Sequence, residues 1–233
     1  MYRCQLPAWF KYMDEFSYAH RDTSPENSGK GLARFNKPNI PPELQAVRER
    51  AFEREIPVAG DDTLCFLMTQ VAAVKPKRIL ELGTAVGTTA AAMALVCPDA
   101  EIVTVEKDER FYKEAIKTFQ LCCPNAKIKP IFGDAGEVIE VLSGAFDFIF
   151  MDSAKVQYIK YLPRLKQLLP RGGVLAADDV LLFGWASGEA EVPKKRRMFA
   201  AHIEEYLAAV SSDEELITSV IKVGDGIALS VKK

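Results

Sequence analysis

Between residues 78 and 178, short apolar runs alternate with helical patterns, and this alternation constrains the fold more than any other feature of the chain. The runs are RILELG (78–83), EIVTVE (101–106), KIKPIF (127–132), FDFIFMD (146–152) and GVLAAD (173–178). Several are nearly continuous in apolar residues, as expected of strands covered on both faces. The segments between them have helical spacing and are predicted to begin near Thr88, Asp108, Ala135 and Tyr158. Strand and helix alternating in this way predict an α/β fold with a Rossmann-like, doubly wound, mostly parallel sheet. The pattern breaks at the end of the chain. A helix from about Pro193 to Val210 precedes LITSVIKV and GIALSVKK, which are joined by Gly224-Asp225-Gly226. So short a link predicts an antiparallel hairpin at the edge of the sheet.

Upstream, Leu44, Val47 and Ala51 fall at helical spacing, with Pro42 suited to the first turn. Asp61 or Asp62 is expected to cap a second helix carrying Leu64, Leu67, Met68, Val71 and Val74, which stops before Pro76. The chain thus divides into a domain over 42–233 and an arm and loop over 1–41. Residues 22–42 are rich in Pro, Gly, Ser and Asn. Ahead of them stand Trp9, Phe10, Tyr12, Phe16 and Tyr18, expected to pack on the domain, a partner subunit or a substrate.

Composition removes several functions. With 30 Lys+Arg against 32 Asp+Glu the formal net charge is −2, too balanced to coat nucleic acid by bulk charge, although a local basic patch is compatible with it. The longest uncharged stretch, Leu82 to Pro98, falls short of the roughly 20 apolar residues of a spanning helix. The N-terminal MYRCQLPAWFKYMDEF has scattered charges and no apolar core, so no signal peptide is expected. Cys4, Cys65, Cys97, Cys122 and Cys123 form no CxxC, and this odd set predicts reduced thiols in a cytoplasmic protein. His20 and His202 are the only histidines, which argues against a zinc site or a Ser-His-Asp triad. Acid–base or metal chemistry falls to Asp, Glu, Lys or Tyr.

The first strand runs into Glu81-Leu82-Gly83-Thr84-Ala85-Val86-Gly87-Thr88-Thr89. A glycine-bearing turn between a first strand and a helix is where nucleotide-like cofactors sit in such sheets. Three residues separate the glycines, so the dinucleotide G-x-G turn is missing, and no Gly-Lys-Ser/Thr of a phosphate-binding loop follows. The E-x-G-x-x-x-G form suits S-adenosylmethionine (SAM). Glu106 ends the second strand, where a carboxylate takes two ribose hydroxyls. Gly133-Asp134-Ala135 ends the third, where Asp134 and backbone groups would flank an adenine. Taken singly, these residues need do no more than make turns. Three of them on successive strand ends point to a cofactor cleft.

The fourth strand ends at Asp152, followed by Ser153-Ala154-Lys155, and the fifth at Asp178-Asp179. Asp178 and Asp179 converge only if the strand has already turned into its loop. Three carboxylates in one cleft repel unless a cation or protons relieve them. An all-oxygen set points to Mg²⁺, with Mn²⁺ and Ca²⁺ as alternatives, rather than zinc. Such a cation would leave positions for substrate oxygens and lower the pKa of a hydroxyl. Lys155 beside it is expected to have a depressed pKa and to act as base or orient the oxyanion. An Asp at a strand end also commonly caps the next turn, and Lys155 could be one more surface lysine.

These residues together resemble the class I SAM-dependent, divalent-metal-dependent O-methyltransferases, the family of caffeoyl-CoA and catechol O-methyltransferases. The resemblance covers about Pro42 to Lys233 through EREIPV, ILELGTAVGTT, VTVEKDE, FGDA, FDFIFMDSAK, GGVLAADDVLLFG and DGIALSVKK. It implies that SAM is held at Glu81, Gly83, Thr89, Glu106, Asp134, Ala135 and Asp152. It places the metal on Asp152, Asp178 and Asp179, and makes Lys155 and Asp152 catalytic. Three features depart from the family pattern: Asp179 stands where Asn is common, Thr88 where an aromatic is common, and the arm before Pro42 is long. The runs DSAKVQYIKYL and Lys194-Lys195-Arg196-Arg197 are most similar to the bacterial transfer-RNA 5-hydroxyuridine methyltransferases. That branch implies a tRNA partner, whose base offers a vicinal oxygen pair, as a small catechol-like phenol does. The basic run would contact phosphates. The family and the aromatic arm both imply a homodimer. From other classes, a nicotinamide-dependent oxidoreductase is disfavoured by the glycine spacing, and a non-catalytic RNA-binding protein by the intact Asp/Lys set.

Overall fold

The computed structural model describes residues 35–233. The aromatic arm, Cys4 and His20 lie outside the described residues. Helix α1 (Pro42–Glu53) begins with Pro42, whose missing N–H costs nothing in a first turn. Helix α2 (Asp61–Val74) follows, and then β1 (Arg78–Leu82), α3 (Thr88–Val96), β2 (Glu101–Glu106), α4 (Glu109–Cys122), β3 (Lys127–Phe132), α5 (Ala135–Val141) and β4 (Phe148–Met151). A 3₁₀ turn (Lys155–Gln157) leads into α6 (Tyr158–Leu168) and β5 (Val174–Ala177). A second 3₁₀ turn (Lys194–Arg196), α7 (Arg197–Ser212), β6 (Leu216–Ile221) and β7 (Ile227–Lys232) complete the domain. The strand and helix expectations hold within a residue or two, except that α7 starts at Arg197 rather than near Pro193, because Lys194–Arg196 form a 3₁₀ turn.

The capping expectation does not hold. Gly60 occupies the N-cap of α2 without a side-chain bond. Asp61 and Asp62 are drawn elsewhere: Asp61 Oδ1 accepts from Arg48 Nη2 at 2.7 Å, and Asp62 Oδ1 from Asn36 Nδ2 at 2.7 Å. Arg48 is fully buried on the apolar face of α1, between the turns that carry Leu44 and Ala51.

The seven strands form one sheet in the order β3-β2-β1-β4-β5-β7-β6, parallel except for the two pairings of β7. Alternation along the strands divides the core between two faces. Leu80, Leu82, Val103, Val105, Ile149 and Met151 pack with α5, α6 and α7. Ile79, Ile102, Phe148, Phe150 and Ala176 pack with α1 through α4. Edge strand β3 carries Lys127, Lys129 and Pro130, which discourage pairing with another chain. Among the described residues no helix is long and apolar enough to cross a membrane.

This order positions the site. The chain leaves β1 toward β2 on one side and later returns to place β4 on the other. The crevice between the carboxyl ends of β1 and β4 is thus the switch point where open α/β sheets bind ligands.

Candidate active site at the ends of β1, β4 and β5

Gly83 leaves β1 with φ +100°, and a Cβ there would lie 2.1 Å from the Asp152 carbonyl oxygen. The residue is glycine because the exits of β1 and β4 touch. Gly87 has another reason: φ +84° at the N-cap of α3, with a Cβ only 2.7 Å from the Phe119 ring. Between them Ala85 is also left-handed, with φ 46°. Its N–H donates to Glu106 Oε2 at 2.8 Å, while Glu106 Oε1 accepts from the Asp108 N–H at 2.8 Å. Glu106 thus ties the glycine loop to the end of β2. With the Lys107 N–H as a third donor, about one of the roughly four acceptor sites of this carboxylate is left for a ribose hydroxyl. Burial pushes this carboxyl above its ordinary range, opposed by the backbone N–H groups of Asp108, Ala85 and Lys107. Thr89 is buried in the first turn of α3.

Glu81 lies at the centre of the sheet with no exposed surface. It pairs across the ladder with Thr104, whose hydroxyl donates to Glu81 Oε2. Thr84 Oγ1 lies 2.5 Å from the same Thr104 hydroxyl. Glu81 Oε1 is buried without a hydrogen-bond partner among the described residues. Burial pushes the carboxyl up to about 8; the Thr104 bond opposes this, and the charges of Asp152 and Glu106 add to it. An unmet buried acceptor at this place suits a ligand carrying cationic or N–H groups. Asp134 is first of all the N-cap of α5, its Oδ1 accepting from the Gly136 N–H at 2.8 Å, and Ala135 behind it is buried.

The acidic cluster forms at the next two strand ends. Met151 of β4 is paired with Ala177 of β5, so Asp152 and Asp178 follow in adjacent positions. The backbone N–H of Asp152 donates to Leu82 O at 2.8 Å and that of Asp178 to Met151 O at 3.0 Å. Asp179 has then turned out of the strand with φ 55°, a conformation Asp tolerates better than most residues. That turn brings Asp152, Asp178 and Asp179 together, with one carboxylate oxygen of each within 4.8 Å of the others. The convergence required at the sequence level is therefore achieved by backbone geometry.

Lys155 Nζ enters this cluster at 2.5 Å from Asp152 Oδ1 and 3.2 Å from Asp179 Oδ2. Burial pushes its ammonium down, yet the charges around it, Asp152 foremost, hold it well above the ordinary lysine range. The expected depressed pKa is therefore not a property of the cluster without a cation, because the carboxylates outweigh desolvation. Asp178 is shifted upward too, which in its case disfavours the charged form. Burial, then the charges of Asp179 and Asp152, raise its carboxyl well above the usual range, and Lys155 and the Asp179 N–H only partly compensate. The cluster is over-supplied with negative charge, and its donors are all oxygens. Both properties fit a hard divalent cation held by Asp152, Asp178 and Asp179.

Three supporting residues escaped the sequence reading. Tyr158 is fully buried, and its hydroxyl donates to Met151 O at 2.8 Å, with Asp178 O at 3.3 Å. It thus props both strand exits, and its place three residues beyond Lys155 was the available signal. Thr104, the one hydroxyl within the apolar run IVTV, was the signal for the Glu81 partner. Arg48 gave none beyond its helical phase. The basic run lies on the second 3₁₀ turn and the start of α7, with Lys194, Lys195 and Arg197 exposed.

Comparison with known proteins shows the family and the fold. The O-methyltransferase family model matches residues 36–233. A caffeoyl-CoA O-methyltransferase of Populus kitakamiensis is 32% identical over 172 residues, covering 70% of this chain and 73% of that one. A flavonoid 3′,5′-methyltransferase of Vitis vinifera is 29% identical over 201 residues, covering 80% and 85%. Among solved structures, an SAH-bound methyltransferase of Podospora anserina superposes with a TM-score of 0.77 at 23% identity, over 100% of both chains. Neither a nicotinamide-dependent nor a non-catalytic reading accounts for these matches. The chain belongs to the O-methyltransferase family, the SAM-dependent enzymes of caffeoyl-CoA O-methyltransferase type.

Proposed function

We propose that this protein transfers the methyl group of SAM to a hydroxyl of an acceptor bearing two adjacent oxygens, with a divalent cation, Mg²⁺ first, as its metal. The convergence of Asp152, Asp178 and Asp179 around Lys155 carries the reading. When bound, the cation supplies charge that favours the ionised acceptor oxygen. Gly83 lets β1 approach β4 closely enough to seat the cofactor, and Glu106 receives its ribose. Glu81, Thr89, Asp134 and Ala135 line the cofactor's course along the ends of β1, α3 and β3. Lys155 would orient the acceptor hydroxyl and, with Asp152, Asp178 and Asp179 neutralised by the bound cation so that its amine is free, take the hydroxyl proton as the oxygen–methyl bond forms and the sulfur–methyl bond breaks. Orientation and fixed charge supply most of the acceleration.

For the acceptor, 5-hydroxyuridine in transfer RNA is favoured by the exposed Lys194, Lys195 and Arg197, three cations with room for phosphates. Small catechol-like phenols are the second reading, favoured by the names of the plant relatives. The test incubates the protein with labelled SAM and Mg²⁺ and offers catechols, unmodified tRNA and 5-hydroxyuridine-containing tRNA in parallel. Label in the modified tRNA alone supports the first reading. Label only in phenols selects the second, and no label in any acceptor overturns both.

A further inference from the structure

The loop that delivers Asp179 is held from the far end of the chain. After β5, Asp179, Leu182 and Phe183 all have positive φ, at 55°, 49° and 60°. Such backbone persists only where its surroundings over-determine it. The partners come from the β6–β7 turn. The Val180 N–H donates to Gly226 O at 3.0 Å and the Leu181 N–H to Asp225 O at 2.9 Å. The Phe183 N–H donates to the Asp225 side chain, at Oδ1, at 2.7 Å. Asp225 therefore receives two of these three amides, one of them on its carboxylate. The turn and loop also press together closely, since a Cβ on Gly226 would lie 2.2 Å from Leu181 Cγ. On its other side the turn abuts α2, where a Cβ on Gly224 would lie 2.5 Å from Thr63 Oγ1.

From this geometry we infer that Asp225 is a positioning residue for the metal site: its carboxylate fixes the Phe183 amide and so sets the left-handed loop that aims Asp179 at the cluster. The residue touches neither cation nor substrate and acts through the backbone between 179 and 183. The inference rests on the metal reading above. What the loop requires of Asp225 is an acceptor at Oδ1, not a charge. Partners of this indirect kind commonly change metal affinity by about 10–100-fold when removed.

The test measures Mn²⁺ binding by electron paramagnetic resonance and calorimetry on the SAM-free protein, so that turnover plays no part. Asp225→Ala is expected to weaken Mn²⁺ binding about tenfold or more, and Asp225→Asn, which keeps the acceptor, to stay within about threefold of the parent. SAM affinity should not change in either. Should Asp225→Ala fail to fold, Asp225→Ser, whose hydroxyl is too short to reach the Phe183 amide, carries the same expectation. Parental Mn²⁺ affinity in the Ala or Ser variant overturns the inference while leaving the metal reading intact. So does an equal loss in Asp225→Asn, which would make charge the cause. Failure of the parent protein to bind Mn²⁺ saturably overturns both readings, and binding that survives Asp179→Ala overturns Asp179 as a ligand and with it the role given to Asp225.

Discussion

Lys155 Nζ lies 2.5 Å from Asp152 Oδ1, with Asp179 Oδ2 at 3.2 Å, so the lysine is the counter-charge of the cluster it serves. Removing it should separate two effects. As the group that handles the acceptor proton, Lys155 contributes on the scale of general acid–base catalysis, so Lys155→Ala should lower kcat by about 10²-fold or more with SAM affinity unchanged. As the counter-charge, it stabilises the cation-free fold, and its loss should cost roughly 3 kcal/mol in excess EDTA. Saturating Mg²⁺ should recover most of that stability, because the cation replaces the ammonium. Denaturant unfolding in EDTA and in Mg²⁺ makes the comparison; a variant as stable as the parent in EDTA would remove Lys155 from this account.

Asp179 brings a third carboxylate to the cluster of Asp152 and Asp178. Asp179→Asn keeps an oxygen donor and relieves the charge that presses on Asp178. Turnover at saturating Mg²⁺ should remain within about tenfold of the parent, with the half-saturating Mg²⁺ concentration raised about tenfold by the lost attraction, on the order of 1.4 kcal/mol. In excess EDTA both proteins should be inactive. Steady-state rates across a Mg²⁺ titration decide it, and an unchanged Mg²⁺ dependence would show that Asp179 does not hold the cation.

Much of this was legible in the chain, for identifiable reasons. The helices starting at Thr88, Ala135 and Tyr158 each open a helical spacing soon after an apolar strand run, so periodicity located them. Asp152, Asp178 and Lys155 were legible because strands adjacent in a parallel sheet place their exits side by side. The rest depends on contacts between distant segments. Nothing near Gly83 in sequence announces that its missing Cβ makes room for the Asp152 carbonyl. Nothing near Asp61 announces that Arg48 will claim it in place of the helix N-terminus. The protonation of Lys155 depends on three carboxylates from two strands and on their net effect against desolvation, a balance that no local pattern expresses.

The two roles of glycine can be separated by substitution. Gly83→Ala meets both a left-handed φ and the Asp152 carbonyl, whereas Gly172, with φ +77°, has nothing within 4 Å of an added Cβ. Gly172→Ala should therefore cost only the conformational penalty, roughly 1 kcal/mol. Gly83→Ala should add an overpacking cost, for a total of roughly 3 kcal/mol, and should also weaken SAM and Mn²⁺ binding by moving the Asp152 backbone. Equal stabilities for the two variants in urea would show that the contact between the β1 and β4 exits is not tight.

Glu81 should leave a signature in the pH dependence of stability. Its folded pKa is raised to about 8 from 4.5, chiefly by burial, with Thr104 opposing. A raised carboxyl pKa means that between these values the folded state holds a proton the unfolded chain has released. The contribution is therefore fully present below about pH 4.5 and is lost progressively as pH rises through 8. The full shift is worth several kcal/mol at most, on the order of 1.4 kcal/mol per unit. Asp178 is shifted in the same direction, so the parent protein's slope sums at least two groups. Glu81→Gln keeps the shape and the acceptor for Thr104 but cannot ionise. Its stability curve in the absence of SAM and metal should be distinctly flatter than the parent's between about pH 5 and 8. Urea unfolding at half-unit pH steps supplies both curves. Parallel curves would mean that Glu81 is already ionised in the folded protein, with its unmet oxygen satisfied by a donor, and that burial does not control its charge.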